Sequence, residues 1–490
     1  RFNIDVWYNY TGADGNTAQG AKQAFLTSFL SGPLNFNRPP GAPILDRSAS
    51  NFSESSLGYR AVMGWGDKDC WQFNVGSDFN YLRNRLVENI RLLQTGFQDP
   101  NLGFPDPFLR QELGIPLSRE VDPGLFVDAS LPIDKRLTIN LGGRADHVFT
   151  ISRGRQVAGN IIVTPGVQNN PLVAGQIVPA AAGAVPPNVT LPVGLTSFDP
   201  IIFSSKPFGT DLSREFDLWA AFFAADYKID EHLTSFLKFG HAERPPTITE
   251  LYAAGPFVAV LQQGLNRLIG DPNLRAEKNN QFDIGLLGNY DNVRFGATGF
   301  YAFINDYITY DQNKVTSGLS QVIFTNTELA TLAGGELFAD LDLTGYLTPF
   351  IIVSYVQGRD RTHVDTQRSA VLVSSRRAFD TEPLPGIPPL EIRSGFRIHE
   401  ETVRPRWSVE FLARSVMGQN LVATSLSELP TSGFTIFDVR AFWQMSDQVL
   451  LTGGVENIGD KFYREHLDPR SGDQLFRPGT NAYAALEVKY

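Results

Sequence analysis

The sequence is poor in cysteine and in charge. Its one cysteine, Cys70, excludes an internal disulfide framework and any cysteine-rich metal site. Charged residues make up 19% of the chain, below the roughly 25% that is usual in soluble domains. The net charge is -10, and the sequence shows no basic patch that would neutralise phosphates. Nucleic acid is therefore not an expected partner.

Long apolar runs are also missing. No segment reaches the 18 or more apolar residues of a membrane helix. The segment 216–227 is too short and contains two aspartates, and prolines interrupt 171–195. Aromatic residues are nevertheless abundant at 12%, with 36 Phe, as in a lipid-facing wall with aromatic girdles. Only helices and closed barrels satisfy every backbone hydrogen bond in lipid, so a membrane protein of this composition is expected to be a barrel.

Catalytic patterns are absent too. The run His399-Glu400-Glu401 lacks the second histidine, four residues on, of the zinc-protease motif. The six histidines are scattered along the chain and indicate no metal site. The sequence therefore predicts neither an enzyme nor a resident cofactor.

The C-terminal stretch shows the clearest period-two pattern. Phe437 and Val439 alternate with Asp438 and Arg440. Successive side chains of a strand point to opposite faces, so one face is apolar and the other polar. A last strand that ends on an aromatic residue, Tyr490, is typical of a barrel whose outer face meets lipid.

The same pattern recurs in pairs of segments joined by short polar turns. Short turns at one end and long loops at the other are typical of outer-membrane barrels, with the long loops extracellular. Loops beyond ~12–15 residues are uncommon in compact domains. The sequence therefore predicts an all-β, antiparallel up-and-down transmembrane barrel with sixteen visible strands. They are 2–10, 57–66, 70–83, 123–131, 136–149, 215–228, 232–242, 278–290, 293–310, 321–345, 349–361, 389–399, 405–417, the two strands of 433–458, and 481–490.

Two segments in the middle of the chain resemble motifs of TonB-dependent outer-membrane receptors. Residues 240–252, with Arg244, Pro246 and Glu250, resemble the family's "FRAPxxxELY". Residues 270–277, which end at Glu277, resemble "GNPxLxPE", with alanine in place of the second proline.

Other segments resemble further motifs of the same family, in the same order along the chain. They are "GxRYDH" at 142–147 (Arg144, Asp146), "GxE" at 334–336 (Glu336), and "NLFDxxYxxH" at 457–466 (Asn457, Tyr463). The shared order and spacing covers about three quarters of the sequence. We expect these motif residues, together with Tyr490, to be structural.

The resemblance implies a 22-stranded barrel filled by an N-terminal plug. Residues 1–490 would then be the barrel portion, without the plug and roughly the first six strands. The implied function is TonB-energised uptake of a scarce nutrient complex, most often an iron–siderophore or similar metal chelate. The implied partners are TonB with its inner-membrane motor, the chelate and the lipid bilayer. A monomer in the outer membrane of a Gram-negative-type bacterium is expected, with no cofactor.

Candidate ligand contacts lie in the long loops, because arginine pairs bidentately with oxygen anions and aromatic rings suit a bulky chelate. Ordinary loop solvation explains these residues equally well. The candidates are Arg110, Arg119, Tyr252, Phe257 and Arg267. Polar residues expected on the inner face would keep the lumen solvated and contact a plug. These are Asn140, Arg144, Asp146, Asp340, Asp342, Arg440 and Glu456.

Two other functions remain open at this level. A passive sixteen-stranded porin would have the same wall but no plug and no dependence on TonB. A soluble β-rich carbohydrate-active enzyme would need paired carboxylates at a cleft, whereas the carboxylates here are spread along many strands.

Overall fold

The structure is a computed structural model. It describes residues 1–17, 43–67, 70–94, 108–152, 172–173, 176–177, 212–259, 265–314, 320–362, 381–402, 405–426, 428–468 and 476–489. Its strands are β1 (Phe2–Thr17), β2 (Pro43–Gly66), β3 (Gln72–Gln94), β4 (Phe108–Pro132), β5 (Leu137–Ser152), β6 (Leu172–Val173), β7 (Gln176–Ile177), β8 (Ser213–Lys228), β9 (Leu233–Arg244), β10 (Ala254–Ala259), β11 (Leu265–Ile269), β12 (Glu277–Asn289), β13 (Val293–Lys314), β14 (Ser320–Leu341), β15 (Leu347–Asp360), β16 (Glu391–His399), β17 (Trp407–Val416), β18 (Phe434–Ser446), β19 (Val449–Glu456) and β20 (Asn481–Val488). Helix α1 spans Ile248–Tyr252, and a 3-10 helix spans Thr424–Leu426.

One large sheet contains all strands except the small pair β6–β7. Leaving out β10 and β11, its strands form a meander of sixteen, each antiparallel to the next along the chain. The predicted fold class is confirmed, and each of the sixteen predicted strands has a counterpart in this meander, although the whole sheet has eighteen strands. Among the pairings that the structure describes, β1 joins only β2 and β20 joins only β19.

The hairpin β10–β11 departs from the up-and-down pattern. The segment 243–277 is predicted as a loop, but β11 pairs in parallel with β14, with Arg267 opposite Gln321. Strand β10 also contacts β4. Strand β13 pairs with the same residues of β14, with Asn313 opposite Gln321, and the β15 pairing begins only at Ala330. Strand β11 therefore takes the edge of β14 that β15 leaves open. Pairing with distant strands, which the local pattern does not encode, is the reason for this difference.

Several strands extend further into the long connections than predicted. Strand β3 continues to Gln94 and β4 begins at Phe108, so residues 84–94 and 108–122 are strand rather than loop. Backbone pairing between β3 and β4 continues through this region despite two register shifts. The ladder supplies hydrogen bonds where the side-chain alternation is lost.

The two faces of the sheet differ in chemistry. The face with the exposed apolar rows is called outward, and the opposite face inward. On β18 the outward Phe437 is 56% exposed and the inward Asp438 is 5% exposed. On β1, Phe2, Ile4, Val6 and Tyr8 are all more than half exposed. Such a continuous apolar surface is what a lipid-facing wall requires.

The short turns lie at one end of the sheet. The long connections lie at the opposite end, which is here called the long-loop end. An aspartate caps two of the short turns in the same way. Asp134 Oδ1 accepts hydrogen bonds from the N–H groups of Arg136 and Leu137, at 2.7 and 2.8 Å. Asp230 Oδ1 caps the turn before Leu233 in the same manner. The two backbone hydrogen bonds lower the pKa of Asp134. None of the helices in the described part of the chain is long and apolar enough to cross a membrane.

Candidate functional site

Helix α1 lies at the long-loop end and packs against the inward face. Thr247 caps its start, and the Glu250 side chain accepts a hydrogen bond from the Thr247 N–H at 2.7 Å, which completes a capping box. Ile248, Leu251 and Tyr252 are all buried. They join one apolar cluster whose other members come from four wall strands and the segment after β11: Ile115, Val148, Phe216, Leu218, Leu274 and Ile308. This assembly is called the α1 cluster, and it anchors the connection 245–276 to the wall.

An ion-pair group stands beside the α1 cluster. Arg244 Nε donates to Glu277 Oε2 at 2.7 Å, and its Nη1 donates to Glu250 Oε2 at 2.9 Å. The second oxygen of Glu277 accepts from the Ile308 N–H at 2.6 Å. Pro246 is fully buried next to them. These residues thus tie α1 to β9, β12 and β13, which is a structural role.

The motif residues of β5 form a second inward ion-pair group. Arg144 donates to both oxygens of Asp78 on β3, at 2.7 and 2.8 Å. Its Nε donates to Asp146 at 2.7 Å. A bidentate pair between strands that are not adjacent braces the inner wall.

The inward polar residues have partners within the wall. Asn140 donates to Asp226 at 2.8 Å, and Asp340 accepts from Arg294 at 2.5 Å and from Arg397 at 3.2 Å. Asp342 is different: it lies in the turn after β14, where it caps the Gly345 N–H at 2.7 Å. The prediction that Asp342 lines the lumen is therefore wrong, because the strand ends one residue earlier.

Arg440 and Glu456, the other two residues predicted to line the lumen, approach each other loosely. Arg440 Nη2 is 3.7 Å from Glu456 Oε1, and both side chains are more than 40% exposed. Glu336 also faces inward, opposite Ser354 of β15.

A groove of about 790 Å³ opens at the long-loop end beside β15, β16 and β17. Arg414 donates to Glu465 at 2.6 Å and to Glu391 at 2.7 Å, and Arg393 shares Glu391 with it at 2.5 Å. Arg477 lines the same groove, and no carboxylate partner is found for its guanidinium among the residues that the structure describes. Glu391, Glu465 and Asp468 line the groove beside Arg393, Arg414 and Arg477, so its arginines and carboxylates are equal in number. Among the described residues the Arg477 guanidinium makes no ion pair, and it is therefore the donor that is available to an incoming anion.

Three connections at the long-loop end meet at Glu428, an arrangement called the Glu428 clasp. Its Oε1 accepts from the Gly386 N–H at 2.8 Å, and its Oε2 from the Ala423 N–H at 2.7 Å. His466 Nε2 lies 3.2 Å from Oε1, and Thr431 Oγ1 holds the other ring nitrogen at 3.0 Å. His466 also lines the groove, so the clasp supports one of its walls.

Burial opposes ionisation of Glu428, whose side chain is 4% exposed. The hydrogen bonds from His466 and from two backbone N–H groups outweigh it and lower the pKa of Glu428 below its ordinary value. The clasp is therefore held together by a carboxylate.

The connection after β19 is shaped by Asn457. Its φ of 49° is left-handed, a conformation that asparagine tolerates better than most residues. The Asn457 N–H donates to Asp438 at 2.8 Å, and its amide exchanges hydrogen bonds with the backbone of Lys461 at 2.9 and 3.0 Å. Tyr463 then packs against Phe434 with the two rings tilted, and the ring centroids are 4.3 Å apart. These motif residues direct the chain toward the groove.

The five predicted ligand contacts lie in different parts of the structure, and the side chains of Tyr252 and Arg119 are described. Tyr252 is 1% exposed, and its hydroxyl donates to the Leu212 carbonyl at 2.7 Å, so it packs in the α1 cluster. Arg119 lies on the outward face, since its neighbours Ser118 and Glu120 hold the inward positions opposite β5. The structure therefore gives these two residues no place in the groove.

The backbones of Arg110, Phe257 and Arg267 lie in β4, β10 and β11, but their side chains fall outside what the structure describes. Tyr490 lies outside the described residues altogether. Ligand contact by the three loop residues stays a prediction.

The groove residues escaped the sequence prediction. Arg393 and Arg414 occupy inward positions of β16 and β17, where an alternating arginine looks like any other luminal residue. Glu465 lies within the recognised motif, but the motif does not reveal that its carboxylate meets Arg414. Across the described ranges, no group of three or more His, Cys, Asp or Glu could hold a metal ion.

The family model for the TonB dependent receptor-like β-barrel matches residues 1–458. The chain is similar to the vitamin B12 transporter BtuB of Photobacterium profundum, with 22% identity over 247 residues, which cover 49% of this chain and 34% of that protein.

Among solved structures, the chain is similar in fold to the copper transporter OprC, with a TM-score of 0.67 at 20% identity, covering 99% of this chain and 62% of that one. It is also similar to the siderophore receptor PiuA from Acinetobacter baumannii, with a TM-score of 0.58 at 12% identity, covering 100% and 62%. The chain thus spans about a third of the length of the BtuB relative and less than two thirds of these structures.

The matched proteins are receptors and transporters rather than enzymes, and they do not favour the passive porin. The model match covers more than nine tenths of the sequence, and the sixteen-strand meander has the corresponding fold. The chain belongs to the family of TonB-dependent receptor β-barrels.

Proposed function

We propose that this chain is the barrel part of an outer-membrane receptor that takes up a scarce nutrient complex with energy delivered through TonB. The observation that carries the proposal is the groove at the long-loop end, where Arg393, Arg414 and Arg477 converge. A guanidinium presents planar pairs of donors that match carboxylate, catecholate-type or phosphate oxygens. The groove is the barrel's share of the ligand site.

The proposed cargo is an iron–siderophore or similar metal chelate with anionic oxygens. Similar proteins bear the names copper transporter, siderophore receptor and vitamin B12 transporter, so metal-containing cargo recurs among them. The metal enters as part of the cargo and is bound through the oxygen atoms of its chelator, since Arg477 of the groove offers a guanidinium that makes no ion pair among the described residues.

The proposed transport step needs parts beyond the groove. A plug would occupy the lumen and supply the other half of the ligand site, and TonB with its inner-membrane motor would displace it. The ion-paired inward wall supports this division of labour, since Arg144 and Arg244 are already held by carboxylates. The receptor would act as a monomer in the outer membrane, with its aromatic face in lipid and no resident cofactor.

Ligand binding tests the groove directly. The full-length protein, purified from outer membranes, would be titrated with ferric siderophores, cobalamin and cupric ion, with intrinsic fluorescence as the readout. We expect one class of metal chelate to bind, and the combined change Arg393→Gln with Arg477→Gln to weaken it by about a hundredfold, since each charge-assisted hydrogen bond contributes roughly 1.5–3 kcal/mol. Arg440→Gln, an inward arginine away from the groove, should leave the affinity unchanged.

Uptake tests the energy requirement. Uptake of the bound ligand by cells should stop when the proton gradient is collapsed, whereas binding at the cell surface should be preserved. Unsaturable uptake that survives loss of the gradient would instead support the porin.

A further inference from the structure

Three arginines project from the outward face at the long-loop end, away from the groove. Inward Asn84 pairs with Glu54 across the β2–β3 pair at 3.1 Å. Its neighbours Arg83 and Arg85 therefore point outward, because successive side chains of a strand alternate. Both side chains are exposed. Arg119 of β4 lies directly opposite Arg83 on the same face.

Directly opposite like charges are destabilising in an antiparallel pair, where the Cβ atoms lie only about 4.5–5.5 Å apart. Nothing in the described structure relieves this repulsion. No ion pair or hydrogen bond is formed by the guanidinium groups of Arg83, Arg85 and Arg119 among the residues described, and the Nε atom of Arg119 is buried without a partner. The outward neighbours in the same rows are Ser53, Ser55 and Ile151, none of which carries a negative charge.

The position of this cluster relative to the apolar surface indicates what could neutralise it. The next outward row toward the short turns runs across five strands and is entirely apolar or aromatic: Tyr8, Leu57, Tyr81, Val121 and Phe149. Aromatic rows of this kind lie at the boundary between hydrocarbon and headgroups. The three guanidinium groups, one or two rows further out, are therefore level with the headgroups of the leaflet on the long-loop side.

We infer that Arg83, Arg85 and Arg119 form a binding site for the phosphate headgroup of an anionic lipid, in which a terminal phosphomonoester bridges Arg83 and Arg119. A phosphomonoester carries about -1.5 to -2 charges at neutral pH and three acceptor oxygens. It can accept a bidentate pair from each of two facing guanidinium groups. The acyl chains of the same lipid would lie along the apolar rows around Leu57 and Tyr81. The site lies on the opposite face of the sheet from the groove and is independent of its ligand.

Lipid retention tests the site. The full-length protein, purified from outer membranes, would be exchanged into phosphatidylcholine vesicles that contain a minor fraction of phosphatidic acid, a lipid phosphomonoester. Native mass spectrometry after extraction would count the retained lipids. We expect phosphatidic acid to be enriched over phosphatidylcholine, and the combined change Arg83→Gln with Arg119→Gln to reduce that enrichment by about tenfold or more.

A matched control removes two inward charges instead. Arg60 and Lys238 lie over the rings of Phe126 and Phe236 on the inward face, so Arg60→Gln with Lys238→Gln changes the net charge equally without touching the outward surface. This variant should retain phosphatidic acid like the wild type. Heat-modifiable electrophoretic mobility would verify that each variant is folded, and Arg83→Lys with Arg119→Lys should retain part of the enrichment because the charge remains.

Three results would overturn the inference. One is equal enrichment in the wild type and the folded Arg83→Gln, Arg119→Gln variant. Another is an equal loss of enrichment in the inward control, which would indicate a net-charge effect. A third is binding of inorganic phosphate with the same arginine dependence but without enrichment of the lipid, which would assign the site to a soluble anion.

Discussion

The α1 cluster and the Glu428 clasp both hold connections in place at the long-loop end, but they do so through different interactions. The α1 cluster fastens the connection 245–276 to the inner wall through buried apolar side chains, with Leu251 fully buried. The Glu428 clasp fastens three other connections through hydrogen bonds to one carboxylate. The first leaves no room for a ligand, whereas the second borders the groove of about 790 Å³.

This difference separates anchoring from recognition. Close-packed apolar contacts resist change, since every lost methylene leaves a cavity. A hydrogen-bonded clasp orders backbone with fewer buried atoms and keeps charged side chains such as Arg393 and Arg477 at the surface of the groove. We therefore expect mutations in the α1 cluster to affect stability, and mutations in the clasp to affect local order and binding.

The largest effect should come from the α1 cluster. Leu251→Ala removes a side chain with 0% exposure and should lower the free energy of unfolding by about 2–5 kcal/mol. Denaturant unfolding in lipid vesicles measures it. Leu421→Ala, at a side chain that is 41% exposed, is the control and should change little. A loss of stability confined to Leu421→Ala would reverse the assignment of the core.

A smaller global effect is expected from the clasp. Glu428→Ala leaves the N–H groups of Gly386 and Ala423 without their acceptor and should cost about 1–3 kcal/mol. The effect should be local, so amide exchange should accelerate in 381–390, 417–426 and 457–468 while the α1 segment keeps its protection. Ligand affinity should fall in the same variant. Uniform acceleration across both assemblies would show that they are not separate.

Removing only the hydroxyl of Tyr252 separates the contribution of its hydrogen bonds from that of its ring packing in the α1 cluster. Tyr252→Phe keeps the ring but removes the hydrogen bonds to the Leu212 carbonyl and to Thr150, which lie at 2.7 and 3.0 Å. We expect a loss of about 1 kcal/mol and no change in ligand affinity. A clear loss of affinity without a loss of stability would instead restore Tyr252 as a ligand contact.

Lowering the pH is expected to have the smallest effect, and it should act on the Glu428 clasp rather than on the α1 cluster. The folded-state pKa of Glu428 is lowered from its ordinary value of 4.5, so its contribution is present above that value and is lost as the pH falls through the lowered pKa. Exchange protection around His466 should therefore decrease below about pH 4.5 in the wild type. In Glu428→Gln this pH-dependent step should be absent, and a step of equal size in that variant would assign it to another group.

Much of the wall could be predicted from the sequence because its pattern is local. Phe437 and Asp438 alternate in the sequence and lie on opposite faces in the structure, at 56% and 5% exposure. The short turns were equally visible, since each is a brief polar break between alternating segments. The motif residues Arg244, Glu250 and Glu277 were identified as structural positions, and they form one ion-pair group.

The candidate site was less predictable. Arg414 meets Glu465 and Glu391 from two other parts of the chain, and nothing in their local surroundings distinguishes them from other inward charges. The strand in which Arg119 lies extends beyond the alternating part, so its outward position opposite Arg83 depends on the pairing of β3 with β4.

The sequence by itself determined the all-β class, the sixteen strands, their two faces and the family, because period-two alternation and motif order are properties of neighbouring residues. Only the tertiary structure decided the inward course of α1, the parallel pairing of β11 with β14, the Glu428 clasp and the groove. Each of these depends on hydrogen bonds and ion pairs between residues far apart in the chain. Their partners are selected by the register of the whole sheet, which no local pattern encodes.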